Sequence, residues 1–310
     1  MGAITKSKYL KGMDFVMKKK VLVMITVLLL SIGLYGCGAA DSDEGNEESN
    51  GEGNQEEQEL VLGLTTWTST IPPTEIIIDI LEDRGYSVEV EEADIGVIYA
   101  GLANGEIDIY MDSWYPQQTQ YLEEYSDTIE QLAPIYEDAN AGMVVPNYME
   151  DINDVGDLVG QEEMVNNELI AIEDGDPAMD ELQELVDAYE LDVELMSSSE
   201  GAMLAAAKAS TDQNEPILLY GWEPHSMFND MDLKILTNEE HPEFFNGSAV
   251  HPVVHKDVQE KAPEVYEILN DWTVSIEDME HMITEIDAGA DGEEVAQEWL
   301  DNNPEWLNNN

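Results

Sequence analysis

The sequence predicts an α/β protein built in two lobes, and three observations carry that expectation. Short apolar runs alternate with segments of helical periodicity from residue 60 onward, an order that argues for mostly parallel sheets flanked by helices. Residues 60–310 are chain enough for two lobes of roughly 100–150 residues each. Three of the apolar runs stop at a tryptophan and turn at once: Trp67 before Thr68-Ser69-Thr70-Ile71-Pro72-Pro73, Trp114 before Tyr115-Pro116, and Trp222 before Glu223-Pro224-His225. Such a strand sets its indole at the carboxyl edge of the sheet, where open α/β sheets bind ligands.

In order, residues 60–66 read as a strand and 74–84 as a helix with Ile76, Ile77, Ile80 and Leu81 on one side. Pro72 and Pro73 suit the turn and the first helical positions, where a missing N–H costs nothing. A strand at 87–90, a short helix at 97–104 closed by Gly105, and a buried strand at 107–111 complete a β-α-β-α-β unit. Leu182, Leu185, Val186 and Tyr189 mark an amphipathic helix over 180–189. Residues 199–207 read as a helix with serine N-cap candidates, and 217–220 as a buried strand. The C-terminal third reads mainly as helices. The chain is expected to cross between lobes near 143–148 and 247–254, which divides it into lobe one at 60–145 and 248–310 and lobe two at 146–247. The proline-bearing segments there are hinge strands or ordinary edge strands.

The N-terminus has a different character. Lys18-Lys19-Lys20 opens an apolar stretch over 21–34 that runs into Gly36-Cys37. A basic start, a short apolar run and a small residue describe a secretory signal over 1–36, and the run is short for a bilayer span. Leu34-Tyr35-Gly36-Cys37 resembles a bacterial lipobox, so Cys37 is the expected lipidation site, on the outer face of the cytoplasmic membrane. A lipid anchor is not a span, and the folded part is expected to be soluble. Cys37 is the sole cysteine, which excludes disulfides and a cysteine nucleophile. Residues 37–59 are acidic with no large apolar side chain until their end, the composition of a disordered tether.

Six of the eleven basic residues (Lys6, Lys8, Lys11, Lys18, Lys19 and Lys20) and one of the 69 acids, Asp14, precede Cys37. The remainder carries 68 acids against five bases, a formal charge of −63. Nucleic acid and anionic membrane surfaces are poor partners for it. Self-repulsion of this size is tolerable where molar salt shortens the Debye length to ~3 Å, which points to a saline habitat. The single arginine, Arg84, sits beside Gly85 at a predicted helix end. With no arginine free to grip a carboxylate, a cationic or zwitterionic ligand fits better than an anionic one.

A lone tryptophan is most simply a core side chain, and Trp272, Trp299 and Trp306 fit that role within helical patterns. Trp67, Trp114 and Trp222 repeat one strand–Trp–turn arrangement, and several indoles meeting at one edge make a box for a quaternary ammonium, attracted by the ring quadrupoles. Gly-x-Ser-x-Gly, phosphate-loop and His-Glu-x-x-His patterns are missing. His251 and His255 are four apart, but Pro252 spoils a helical metal pair. No catalytic residue, metal or cofactor is expected.

The strings Thr66-Trp67-Thr68-Ser69-Thr70-Ile71-Pro72-Pro73, Asp112-Ser113-Trp114-Tyr115-Pro116, Ser198-Ser199-Glu200-Gly201-Ala202-Met203 and Gly221-Trp222-Glu223-Pro224-His225 together resemble one family. It is that of the glycine betaine/proline betaine-binding proteins of osmoprotectant ABC transporters, and the likeness extends over nearly all of 60–300. The resemblance implies a type II periplasmic-binding-protein fold that closes around a trimethylammonium group, with an ABC permease as partner and the protein itself a monomer. It implies a cage of Trp67, Trp114 and Trp222. It also implies a ligand carboxylate held by backbone N–H groups of the turn Thr68, Ser69 and Thr70, at a helix N-terminus that favours anions, and by His225. For His225 a surface or hinge role stays open. The chain departs from the family pattern at Glu173-Asp174-Gly175-Asp176-Pro177-Ala178, where Asp174 or Asp176 either attracts the cation or caps the next helix. Choline, carnitine and ectoine are the alternative ligands. A sensory lipoprotein and an exported hydrolase are the alternative classes.

Overall fold

The computed structural model describes residues 59–307. The secretory stretch, Cys37 and nearly all of the acidic tether lie outside the described residues. Eleven strands form among the described residues: β1 (Glu59–Leu64), β2 (Ser87–Glu92), β3 (Ile109–Tyr115), β4 (Ile129–Gln131), β5 (Tyr136–Ala139), β6 (Ala141–Pro146), β7 (Glu168–Ile170), β8 (Glu194–Met196), β9 (Leu219–Trp222), β10 (Leu233–Ile235) and β11 (Ser248–His255). The longer helices are α1 (Ile71–Asp83), α2 (Ile95–Asn104), α3 (Pro177–Ala188), α4 (Glu200–Thr211), α5 (Pro263–Asp271), α6 (Ile276–Asp287) and α7 (Gly292–Asn302).

Two sheets result. The first has the order β2-β1-β3-β11-β4, with β5 also paired to β11, and the second β10-β6-β9-β7-β8. The chain passes from the first to the second between Ala139 and Ala141 and returns at Ser248. In the first sheet β2, β1 and β3 are parallel, joined by the helical crossovers α1 and α2. In the second, β8, β7 and β9 are parallel through α3 and α4.

The expectation of mostly parallel sheets needs correction, because each sheet is mixed. β11 runs antiparallel to β3, β4 and β5, and β6 runs antiparallel to β9 and β10. Both are the strands on which the chain enters a sheet from the other one, so no crossover helix sets their direction. Neither is an edge strand. Pro252 sits inside the first sheet, where the β3 pairing slips between His251 and Val253. A proline gives no ladder N–H, and a bulge accommodates it, while its carbonyl still accepts from Leu132 N at 3.0 Å.

Helix ends follow the local chemistry. Ser199 caps α4, its side chain accepting from Ala202 N, and Gly105 closes α2 at φ +70°, a left-handed conformation that suits glycine. α1 starts three residues before the predicted helix and takes Pro72 and Pro73 into its first turn. Arg84 ends α1, bonded to the carbonyls of Ile80 and Trp306 and paired with Glu264. Trp272 and Trp299 meet edge-on at 6.0 Å in the core, and Trp306 is half-buried. A single cluster of buried apolar side chains runs through both sheets. Among the described residues no helix is long and apolar enough to cross a membrane.

Candidate ligand site

Trp114 is the penultimate residue of β3, Trp222 ends β9, and Trp67 follows β1 by three residues. Strands from both sheets thus deliver an indole to one place. The three line a common cavity of about 340 Å³, measured with its open mouth, and Tyr220 from β9 adds a fourth ring. All three indoles are nearly buried, 5–7% exposed. Gly221 lies between the two β9 rings, and a Cβ there would meet Val144 at 2.7 Å and the Met227 sulfur at 3.0 Å. Only glycine lets β9 sit this close to β6 while presenting Trp222 to the cavity.

Two of the indoles are oriented by carboxylates. Trp67 Nε1 donates to Glu173 Oε1 at 2.8 Å, and Trp114 Nε1 to Asp112 Oδ1 at 3.1 Å. Asp112 also accepts from Ser69 Oγ at 2.9 Å. Trp222 is positioned by packing, tilted against Tyr220 at 5.5 Å and edge-on to His225 at 4.9 Å; its Nε1 is buried without a hydrogen-bond partner.

The polar part of the wall comprises Ser69, Gln117, Gln118 and Asp176. Asp176 caps α3, its Oδ1 accepting from Ala178 N at 2.7 Å, and it also lines the cavity. Asp174 is exposed. Burial pushes the Asp176 carboxyl up to about 7, the Ala178 bond opposes the shift, and Glu173, Asp112 and Asp180 reinforce it. Asp112 is also raised to about 7, by burial against the opposing bonds from Ser69 and Trp114. An acid kept near neutrality by burial ionises when a cation arrives beside it.

The remaining sequence-predicted residues gather just beyond the rings. Thr68 N donates to Glu200 Oε2 at 2.9 Å, and Thr68 Oγ1 to Asp287 Oδ1 at 2.9 Å. His225 Nδ1 accepts from Met227 N at 3.1 Å, which leaves the proton on Nε2 to be donated to Glu200 Oε1 at 2.9 Å. Thr68 and His225 therefore converge on a carboxylate, that of Glu200. Thr70 is buried, with its N–H returned to Trp67 O at 3.4 Å, and does not reach the cavity wall. His251 is tied to Leu132 O at 2.8 Å, and no cluster of metal-binding side chains occurs among the described residues. Sequence reasoning missed Tyr220, Asp112, Glu173 and Glu200. A partial signal was present, since Tyr220, Asp112 and Glu200 all lie inside or beside the quoted motifs.

Two mixed sheets that share an aromatic cavity with one buried acid, Asp176, in its wall define a substrate-binding protein of the type II periplasmic-binding-protein fold. The model of the substrate binding domain of ABC-type glycine betaine transport systems matches residues 58–302, and the chain belongs to that family. The family is one of transport receptors, not of enzymes. The chain is similar to a lactococcal OpuAC, solved closed with glycine betaine, at a TM-score of 0.76 and 27% identity, covering 81% of this chain and 98% of that one. It is equally similar to the glycine betaine/L-proline-binding protein ProX from Borrelia burgdorferi, at TM-score 0.76 and 26% identity over 80% and 95% of the two chains. The glycine betaine/carnitine transport binding protein GbuC of Listeria monocytogenes is 32% identical over 146 residues. That match takes in 46% of this chain and 48% of GbuC, about half the length of each.

Proposed function

We propose that this protein captures glycine betaine or a closely related zwitterion outside the cell and delivers it to an ABC transporter permease. The observation that carries the reading is the convergence of Trp67, Trp114, Trp222 and Tyr220 on one cavity whose wall also holds Asp176. A desolvated cation over an aromatic face gains up to ~2 kcal/mol, so three indoles supply roughly 6 kcal/mol before binding costs. A micromolar complex requires about 8 kcal/mol net, and methyl burial and polar contacts supply the difference. In this reading the two sheets form lobes that close around the ligand, and the protein works as a monomer. Lipidation at Cys37 tethers it to the outer face of the cytoplasmic membrane, and its acidic surface suits a saline medium.

Carnitine is the second reading, because it shares the trimethylammonium head and is named for the Listeria relative. The test is calorimetric titration with glycine betaine, carnitine, choline, ectoine and proline at molar salt. Saturable binding of betaine, weakened about thirtyfold in Trp114→Ala through loss of a cation–π face worth up to ~2 kcal/mol, supports the proposal. A folded protein that ignores every quaternary ammonium compound refutes it.

A further inference from the structure

Helix α6 buries Met279, Met282 and Ile283 and packs against β5, α1 and the turn Thr68–Thr70, all on the side of the first sheet. Two acids on it, Glu280 and Asp287, stand two turns apart on one helix face and reach the segment that follows β9 in the second sheet. Asp287 Oδ2 accepts from Ser226 Oγ, and Glu280 Oε1 from Asn229 Nδ2 at 2.9 Å. The other oxygen of Asp287 accepts from Thr68 Oγ1 at 2.9 Å. A serine at a helix N-cap ordinarily accepts from the helix's own N–H. Ser226 holds that position on the short helix Met227–Asp230 but makes no such bond; its hydroxyl is turned to Asp287. Neither Glu280 nor Asp287 lines the cavity. Thr68 directly follows Trp67, however, and Ser226 stands shortly after Trp222, so one carboxylate joins segments that carry two of the indoles.

We propose that Asp287 is a positioning residue that holds the two halves of the aromatic cavity together and sets how long a captured ligand stays. The proposal rests on the reading that the two sheets form lobes closing around a quaternary ammonium ligand. Trp67 and Trp114 come with the first sheet, Tyr220 and Trp222 with the second, so the cage is complete only while the halves are together. A bond made only in the closed arrangement stabilises it over the open one. Ligand enters the open form without meeting Asp287, and the capture rate is independent of it. Release must first break the Asp287–Ser226 bond, so the release rate is not, and it is in release that related complexes differ most. Asp287 and Asn229 are exposed. Water replaces such bonds at modest net cost when they part, as a contact formed and broken in every cycle requires.

The test is stopped-flow tryptophan fluorescence with glycine betaine at molar salt, giving capture and release rates for wild type, Asp287→Ala, Asp287→Asn and Ser226→Ala. The expected result is that Asp287→Ala releases betaine about tenfold faster, equivalent to about 1.4 kcal/mol, while its capture rate and its ligand-free melting temperature hold. Asp287→Asn is expected to return release to within about threefold of wild type, because a carboxamide offers an oxygen and an N–H to two hydroxyls that can each donate or accept. Ser226→Ala should match Asp287→Ala. Slower capture together with a lower ligand-free melting temperature would overturn the proposal and leave Asp287 as a brace of the fold. If Asp287→Ala does not fold, Ser226→Ala carries the same criterion. A wild type with no saturable response to betaine overturns the reading beneath and this proposal with it, whereas normal capture with unaltered release in Asp287→Ala overturns this proposal alone.

Discussion

The Trp67 indole donates to the Glu173 carboxylate at 2.8 Å although the two residues stand 106 positions apart, one beyond β1 and the other beyond β7. A bond between the sheets therefore aims one of the rings that line the cavity. A hydrogen bond to a charged acceptor contributes ~1.5–3 kcal/mol. Burial raises the Glu173 carboxyl, and the indole bond partly offsets this by favouring the charged form. Glu173→Gln keeps an acceptor but drops the charge, and is expected to weaken betaine binding about threefold. Glu173→Ala, which frees the ring, is expected to weaken it about tenfold. Titration calorimetry reads both, and an unchanged affinity in Glu173→Ala would mean that packing alone orients Trp67.

Removing a ring should cost more than removing its brace. Trp114→Ala and Trp222→Ala each delete a cation–π face worth up to ~2 kcal/mol, so a fall in affinity of about thirtyfold is expected. Trp222→Phe, which keeps a weaker ring, should lie between. Near-ultraviolet circular dichroism of the ligand-free variants checks that the cavity walls survive.

Binding of a cation should depend on pH through Asp176. Its folded value of about 7 lies well above the ~3.9 of an exposed aspartate. Stability from this group is therefore complete below about pH 4 and is lost as pH rises through 7. A bound cation favours the ionised form, so affinity is expected to strengthen between pH 6 and 8, with proton release on binding near neutrality. Asp176→Asn should flatten that profile. Buffers of different ionisation enthalpy in the same calorimeter measure the released proton, and a flat wild-type profile would sink the idea.

Gly221 offers a packing test. An added Cβ must push against Val144 and Met227, and overpacking of this kind costs ~1–3 kcal/mol. Gly221→Ala is expected to lower the melting temperature by several degrees and, by displacing Trp222, to weaken betaine binding as well. A variant with native stability would show that β6 gives way freely.

The charge balance from Cys37 onward, 68 acids to five bases, sets a salt dependence. Screening weakens repulsion between surface carboxylates as the Debye length falls from ~10 Å at 0.1 M to ~3 Å at 1 M. The melting temperature is expected to climb steadily over that range in a non-denaturing salt. A melting temperature indifferent to salt would remove the argument for a saline habitat.

Much of this was legible in the residues themselves. The helical stripes, the Ser199 and Gly105 caps and the three tryptophans at strand ends follow from patterns a few residues long, and such patterns act through neighbours along the chain. The family resemblance rested on those same short strings. Acids were a different matter: of the 69 in the chain, only Asp174 and Asp176 stood out, through a departure from the family pattern. Which acids are buried, raised in pKa or bonded to an indole depends on what other segments bring beside them, often from more than a hundred positions away.

By itself, then, the sequence determined the alternation of strands and helices, the aromatic character of the site and the surplus of negative charge. Only the tertiary structure decided that β11 enters the middle of the first sheet against the parallel direction, that Asp176 both caps α3 and faces the cavity, and that Glu200 fills the donors of Thr68 and His225. Local conformation is set by sterics and hydrogen bonds between near neighbours. Desolvation and charge pairing are set by distance in space, and only the folded chain defines that distance.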